Sequence, residues 1–455
     1  MLFSELTLPA TLARGLADVD YLEMTAVQAA SVPTILNGGD VVAQAHTGSG
    51  KTAAFALGLL AALDTSAASV QGLVLCPTRE LADQVSREIR RLARAIPNVK
   101  VLTLCGGVAL RPQLASLAHL PHIVVGTPGR IQELMEKRVL PLQAVKVLVL
   151  DEADRMLDMG FAETIELVVK AIPEDRQTLL FSATIPAEIR AVSRRLQRAP
   201  LDVSIEDQAT RPHIAQLFFK VEAEQKQAAL RALLLEYKPE SAVVFCNTRH
   251  AVRSVAAELS SQGFAVLALH GELDQREREE MLVRFANHSC TVLVASDVAA
   301  RGLDIAELAL VVNYELASDA ATHLHRVGRT GRAGRSGQAV SLCSTREAGR
   351  LRAIADGLDG PVHWGRLPAA AGQAPTAPYV TLVVDAGRQD KLRAGDLLGA
   401  LTGSAGLTAD AVGKIDVFAT RTYVAIARAA LHQARNGLRA GKIKGRNFRV
   451  RELEI

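Results

Sequence analysis

Aromatic side chains are scarce in this chain of 455 residues: Phe, Tyr and Trp make up 4%, with a single Trp. Any core must therefore be filled mainly by Ala, Leu and Val. Cysteine is limited to Cys76, Cys105, Cys246, Cys290 and Cys343, with no CxxC pair among them. That argues against a disulfide scaffold or a thiolate metal site and points to buried thiols in a reducing compartment. No uninterrupted apolar run reaches the length of a membrane span, and no charged leader precedes a secretory segment. The expectation is a cytoplasmic protein with no membrane partner. A strong charge is also missing, since the net value is +4. It is unevenly distributed, however. Tyr379 to Ile455 carries 13 Lys and Arg against 7 Asp and Glu, a balance of +6 that leaves the preceding 378 residues near −2. A basic partner-binding region is therefore expected only at the C-terminal end.

What is present is abundant apolar material, 49% of residues, in a chain long enough for several domains. From Val41 to about Ala183, the short apolar runs VVAQA, GLVLC, HIVVG, VKVLVLD and TLLFSAT alternate with helical patterns. Continuous Val/Leu/Ile strands separated by helices predict a parallel sheet covered on both faces. The pattern restarts near His213 with IAQLFFKV, SAVVFCNT, FAVLALHG, CTVLVASD and LALVVNYE, after the polar stretch Glu206 to Pro212, which reads as a hinge. Beyond Trp364, an Ala/Pro-rich segment ending at Pro378 reads as a semi-flexible tether. The remainder predicts a small β-α-β-β-α-β unit. The expected boundaries are 1–206, 207–360, a linker over 361–378, and 379–455.

VVAQAHTGSGKT places a Gly-rich turn between a strand and a helix beginning near Lys51. Backbone N–H groups in such a turn cradle phosphates. Lys51 would reach the β and γ phosphates of ATP, and Thr52 would ligate Mg²⁺. Ala45 stands where the general pattern has its first glycine. Asp151 and Glu152 follow an all-apolar strand, which suits Asp151 to holding Mg²⁺ through water and Glu152 to activating the attacking water.

Asp151-Glu152-Ala153-Asp154, after AHTGSGKT and before Ser182-Ala183-Thr184, resembles the DEAD-box ATP-dependent RNA helicases over roughly residues 3 to 345. The resemblance implies two tandem RecA-like α/β domains that use ATP and Mg²⁺ to open RNA locally. It also assigns residues. Ala45, His46, Thr47, Gly48, Ser49, Gly50, Lys51 and Thr52 would form the ATP loop, with Gln28 sensing adenine, Phe3 stacking on it and Asp304 near the ribose. Met24 stands where the family has proline before Thr25. Arg326 and Arg329 in HRVGRTGRAGR would be arginine fingers, and His325 would pair with Asp154. Ser182 and Thr184 would couple hydrolysis to remodelling. RNA would be held by Arg79, Gly107 beside Gly106, Thr127, Gly129 and Arg130 in the first domain. Thr248, Gln275, Arg278, Ser296 and Asp297 would hold it in the second.

In the C-terminal unit the element order suggests an RRM-like α+β platform. Tyr423 fits either a base-stacking position or a core position. Lys442, Lys444, Arg446, Arg449 and Arg421 would lie near RNA. YVTLVVDAGR, VGKIDVF and GKIKGRNFRVREL are similar to DbpA-type bacterial DEAD-box helicases. That resemblance implies structured RNA as partner, a 23S rRNA hairpin in a large-subunit precursor, with no obligate protein partner. An RNA clamp without hydrolysis and a DNA helicase are the competing classes. The full set Lys51, Asp151, Glu152 and Arg329 weighs against the clamp.

Overall fold

The computed structural model describes the chain except residues 46–47, 205–213, 301–307, 332–336, 359, 370 and 454–455. Seven strands form the first sheet: β1 (Val41–Gln44), β2 (Gly72–Leu75), β3 (Val101–Leu104), β4 (Ile123–Gly126), β5 (Val147–Asp151), β6 (Gln177–Ser182) and β7 (Leu201–Ser204). They are parallel, in the order β3-β4-β2-β5-β6-β1-β7. The continuous apolar runs have a direct explanation. Val147 and Val149 of β5 point into one core, whereas Leu148 and Leu150 point into the other. Alternating side chains thus fill both layers between sheet and helices.

A second parallel sheet contains β8 (Ile214–Lys220), β9 (Ala242–Cys246), β10 (Val266–Leu269), β11 (Val292–Ser296), β12 (Leu310–Asn313) and β13 (Gly337–Cys343). Its order is β10-β11-β9-β12-β13-β8. The chain separates into two compact units, the first ending with β7 and the second beginning with β8. Three strands escaped the apolar-run reading: β3, β7 and β13. Their residues VLTL, LDVS and GQAVSLC are interrupted by polar groups. All five cysteines are buried free thiols.

The third sheet, antiparallel and also in the second unit, runs β15-β16-β14-β17 through β14 (Tyr379–Val384), β15 (Val412–Val417), β16 (Thr422–Ala427) and β17 (Val450–Glu452). Helices Ala394–Gly399 and Leu431–Ala440 complete the β-α-β-β-α-β order of an RRM-like fold. Leu382, Val384, Val424 and Ile426 pack on these helices. The opposite face presents Val383 and Tyr423, which cluster with Leu453, Phe418 and Val283 of the helix Gln275–Ala286. Beside this contact, Asn287 Nδ2 donates to Thr381 Oγ1 at 2.9 Å, and the Ser289 and Thr381 hydroxyls lie 2.6 Å apart. The second face of the small sheet is therefore covered within the unit around Val383 and Tyr423.

The stretch just before the Ala/Pro segment is attached to the second sheet. Phe218 N donates to the His363 carbonyl at 2.9 Å and Gly365 N to the Phe218 carbonyl at 2.8 Å, so residues 363–365 bridge to β8, an edge strand, at Phe218. A Cβ on Gly365 would meet the Phe219 ring at 2.5 Å, which explains glycine there. Trp364 lies 6.3 Å from the Phe218 ring with Lys220 over its face, and Leu367 and Ala374 pack on the second core. This bridge satisfies the Phe218 N–H and carbonyl, which would otherwise be open to pairing with another chain.

Candidate nucleotide and RNA site

In the first unit the motif residues gather at the carboxyl ends of the parallel strands, where open α/β sheets place their ligands. The loop after β1 is anchored by Ala45 N, which donates to the Ser182 carbonyl at 2.9 Å. Gly48 and Gly50 adopt φ of 91° and 89°. At Gly50 a Cβ would also sit 2.5 Å from Gln28 Nε2, so glycine is required by conformation and by space. Thr25 caps the helix Ala26–Leu36 in a reciprocal box: Gln28 N donates to Thr25 Oγ1 at 3.4 Å and Thr25 N to Gln28 Oε1 at 2.9 Å. The same pair braces the phosphate loop, with Thr25 Oγ1 donating to the Ser49 carbonyl at 2.7 Å and Gln28 Nε2 to the Gly50 carbonyl at 2.9 Å. Met24 in place of proline leaves this cap intact. Phe3 is 4% exposed and lies edge-on to Tyr21 at 5.7 Å. His46, Thr47 and Asp304 lie outside the described residues.

Lys51 opens the helix Lys51–Ala61, donates to the Ala45 carbonyl at 3.4 Å and lies 3.8 Å from Asp151 Oδ1. Both are buried, at 4% and 1% exposure. Burial pushes the Asp151 carboxyl up to about 6, while Lys51 pulls it down and Glu152 raises it further. Its two oxygens are buried and accept no hydrogen bond of ordinary geometry among the described residues. A carboxylate left this way beside Lys51 of the phosphate loop fits a hydrated divalent cation held mainly by nucleotide phosphates. Glu152 occupies the left-handed region at φ 53°, a conformation costing a non-glycine residue about 1–2 kcal/mol. Arg155 holds it by an ion pair of 3.1 Å, with both side chains buried.

Asp154 is joined to the end of β6. Its backbone N donates to Ser182 Oγ at 3.2 Å, and its Oδ2 accepts from Thr184 N at 3.0 Å and Thr184 Oγ1 at 2.8 Å. At the other end of the sheet order, the loops after β3 and β4 are stitched together. Gly106 N donates to Thr127 Oγ1 at 3.1 Å, and Arg130 donates to the Val108 carbonyl at 3.0 Å while pairing with Glu133 at 3.0 Å. Gly107 and Gly129 are exposed with open space around them. Arg79 begins the helix after β2, half-buried beside Asp83 at 3.5 Å.

In the second unit, Thr248 caps the helix Arg249–Ser261 after β9, and Ser296-Asp297 end neighbouring β11, where Ser296 pairs with Cys246. Arg278 donates to the Ala299 carbonyl at 2.7 Å, and Gln275 begins the same helix. Arg329 is 7% exposed and His325 half-buried. Arg326 is 2% exposed, in contact with Asp297, Asn247, Asn313 and the Glu315 carbonyl. Asn247, Asn313 and Glu315 were not marked by any motif reading. Tyr423 is 3% exposed in the apolar cluster, and burial raises its hydroxyl pKa. Lys442, Lys444, Arg446 and Arg449 are exposed, with Lys444 and Arg446 on a cavity of about 130 Å³ shared with Asp390, Lys391, Leu392 and Phe448.

A phosphate-binding loop after β1, a carboxylate pair at the end of β5 with β6 between them, and a second sheet of the same kind define a nucleotide-driven helicase core. Residues 25–192 match the DEAD/DEAH box helicase model, 225–334 the helicase conserved C-terminal domain and 381–452 the DbpA RNA binding domain. The chain is 51% identical over 448 residues to the ATP-dependent RNA helicase DbpA of Escherichia coli K12, covering 98% of each. It is 42% identical over 353 residues to the DEAD-box ATP-dependent RNA helicase CshA of Bacillus cereus, covering 77% of this chain and 67% of the relative. Among solved structures it is similar to S. cerevisiae Dbp5 bound to RNA and ADP BeF3, with TM-score 0.72, 30% identity and coverage of 80% of this chain and 95% of the other. Mss116p bound to ssRNA and AMP-PNP gives TM-score 0.72, 26% identity and coverage of 80% and 78%. The chain belongs to the DEAD-box ATP-dependent RNA helicases. It has the two RecA-like domains of that family and a C-terminal DbpA-type RNA-binding domain. Among the described residues no helix is long and apolar enough to cross a membrane.

Proposed function

We propose that this helicase acts in the cytoplasm on a 23S rRNA hairpin region of a large-subunit precursor, opening short duplexes beside a site recognised by its C-terminal domain. The observation carrying this reading is the DbpA RNA binding domain match over 381–452 in the region holding the +6 charge balance. Gln28 would select adenine through its amide edge, and Lys51 would hold the β and γ phosphates. Thr52 and Asp151 would hold Mg²⁺, which neutralises phosphate charge when bound. Glu152, kept in place by Arg155, would take the proton of the attacking water. Arg329 would stabilise charge on the transferring phosphoryl group.

RNA would be gripped through phosphate and sugar by Arg79, Gly107, Thr127, Gly129 and Arg130 with Thr248, Gln275, Arg278, Ser296 and Asp297. Were ATP and RNA each to draw groups from both units, as the family resemblance implies, binding either would favour binding of the other. His325 and Asp154 would pair in that state. The exposed Lys442, Lys444 and Arg446 would give the site preference. Tyr423 would need its apolar cover removed before stacking on a base.

Two measurements test this. Glu152→Gln should abolish RNA-stimulated hydrolysis while ATP and RNA binding persist; unchanged turnover would sink the assignment. Crosslinking with sequencing should show the wild-type chain enriched at one large-subunit hairpin. A chain carrying Lys444→Glu and Arg446→Glu should lose the enrichment but keep ATPase stimulated by unstructured RNA. Equal enrichment would refute recognition through that rim.

A further inference from the structure

The family resemblance makes Arg326 a candidate to touch the nucleotide, yet its surroundings argue for another task. The guanidinium has five N–H donors and all are committed. Nε and Nη2 clasp the Asp297 carboxylate at 2.6 and 2.7 Å. Nη2 also donates to Asn247 Oδ1 at 2.7 Å, and Nη1 to the Glu315 carbonyl at 2.7 Å and Asn313 Oδ1 at 3.2 Å. The Phe245 ring lies 5.2 Å from the guanidinium carbon. A group with no donor left and 2% exposure has nothing to offer a phosphate unless this cage is broken.

The residues it holds have a common location. Asn247 precedes Thr248 at the end of β9, Asp297 follows Ser296 at the end of β11, and Asn313 ends β12. Asn247 is itself fixed by a 2.6 Å bond from its N–H to Glu315 Oε2 and a 2.9 Å bond from Nδ2 to the Leu316 carbonyl. One buried side chain therefore sets the relative placement of three adjacent strand ends, two of which present the proposed RNA contacts. We propose that Arg326 is a positioning residue for the RNA grip of the second domain, acting through Asp297 and Asn247, and not an arginine finger. This rests on the reading that Thr248, Ser296 and Asp297 contact RNA.

The test is RNA-stimulated ATPase of the full chain, titrated separately with a single-stranded oligonucleotide and with ATP, for Arg326→Gln, Arg326→Lys, Asp297→Asn, Asn247→Ala and Arg329→Gln. Arg326→Gln is expected to raise the RNA concentration for half-stimulation at least about tenfold, with kcat at saturating RNA within about threefold and the KM for ATP unchanged. Asp297→Asn should shift RNA in the same direction, Asn247→Ala by less, and Arg326→Lys should recover part of the loss. The Arg326→Gln/Asp297→Asn pair should be less than additive, as expected for one unit. Loss of kcat at saturating RNA with unchanged half-stimulation would overturn the proposal in favour of a phosphate contact. Should Arg326→Gln fail to fold, Asn247→Ala and Asp297→Asn carry the test, and normal RNA half-stimulation in both would overturn it. Arg329→Gln separates the two readings: it should lower kcat alone. A wild-type chain without RNA stimulation would instead defeat the underlying function.

Discussion

Replacing Asp151 by Asn should stabilise the ligand-free protein while removing its activity. Asp151 is 1% exposed at the end of β5, and burial raises its carboxyl from 3.8 to about 6 despite Lys51 at 3.8 Å. The folded protein thus holds this proton more tightly than the unfolded chain does. The penalty for ionising it is absent below about pH 4, grows through about pH 6 and is complete above that. At 1.36 kcal/mol per pKa unit its full size is about 3 kcal/mol. Asn resembles the neutral acid, so the variant escapes most of the penalty at pH 7.5. For a unit of this size that corresponds to a melting temperature higher by about 6–12 °C. At pH 5 the free-energy gain should shrink to about half. Thermal melts without nucleotide at both pH values, beside an ATPase assay, measure it. ATP with Mg²⁺ should raise the wild-type melting temperature more than that of the variant. A variant less stable than wild type at pH 7.5, or a gain independent of pH, would refute the account.

Other substitutions test the connections around the sites. Thr184→Val removes the 2.8 Å bond to Asp154 Oδ2 while leaving the backbone bond, a loss of about 1.5–3 kcal/mol for a hydrogen bond to a charged group. RNA-stimulated ATPase should stay within about threefold while duplex unwinding falls at least about tenfold, and parallel changes in both would argue against a coupling role. Thr381→Val should leave Asn287 and Ser289 without their shared partner beneath the C-terminal sheet, costing about 1–3 kcal/mol. Denaturant melts and amide exchange in β14 should register the loss, and an unchanged midpoint would show that the polar contact contributes nothing.

Most central strands were legible because burial on both faces makes them continuous apolar runs, as in VKVLVL and SAVVFC, whereas the interior β13 breaks its run with Gln338 and Ser341. The edge strands β3 and β7 lack that double cover and so resemble loops. The attachment just before the Ala/Pro segment was hidden for a different reason. His363 and Gly365 are held by backbone bonds to Phe218 of β8 and by the fit of Gly365 against Phe219, neither of which composition records. The phosphate loop and carboxylate pair were visible because local spacing dictates their geometry. The Arg326 cage was not, since its acceptors lie at 247, 297, 313 and 315 and meet only when β9, β11 and β12 become neighbours.

With the proposed contacts, sheet order would keep ATP and RNA apart yet linked within one domain. In β3-β4-β2-β5-β6-β1, the proposed RNA loops follow the first three strands and the nucleotide groups follow the last three. The junction falls at β2 and β5, and Asp154 stands immediately beyond it with Ser182 and Thr184 attached. A shift of the Asp151-Glu152 turn on hydrolysis would therefore pull directly on the end of β6. The second unit contains a comparable link. The helix Gln275–Ala286 begins with the proposed RNA contacts and carries Val283 under the C-terminal sheet near its other end. At 1.5 Å per residue, the eight positions from Gln275 to Val283 span about 12 Å of rigid helix. RNA bound by the C-terminal domain would then be fixed in distance from RNA at the proposed contacts, because a helix that short transmits displacement without bending.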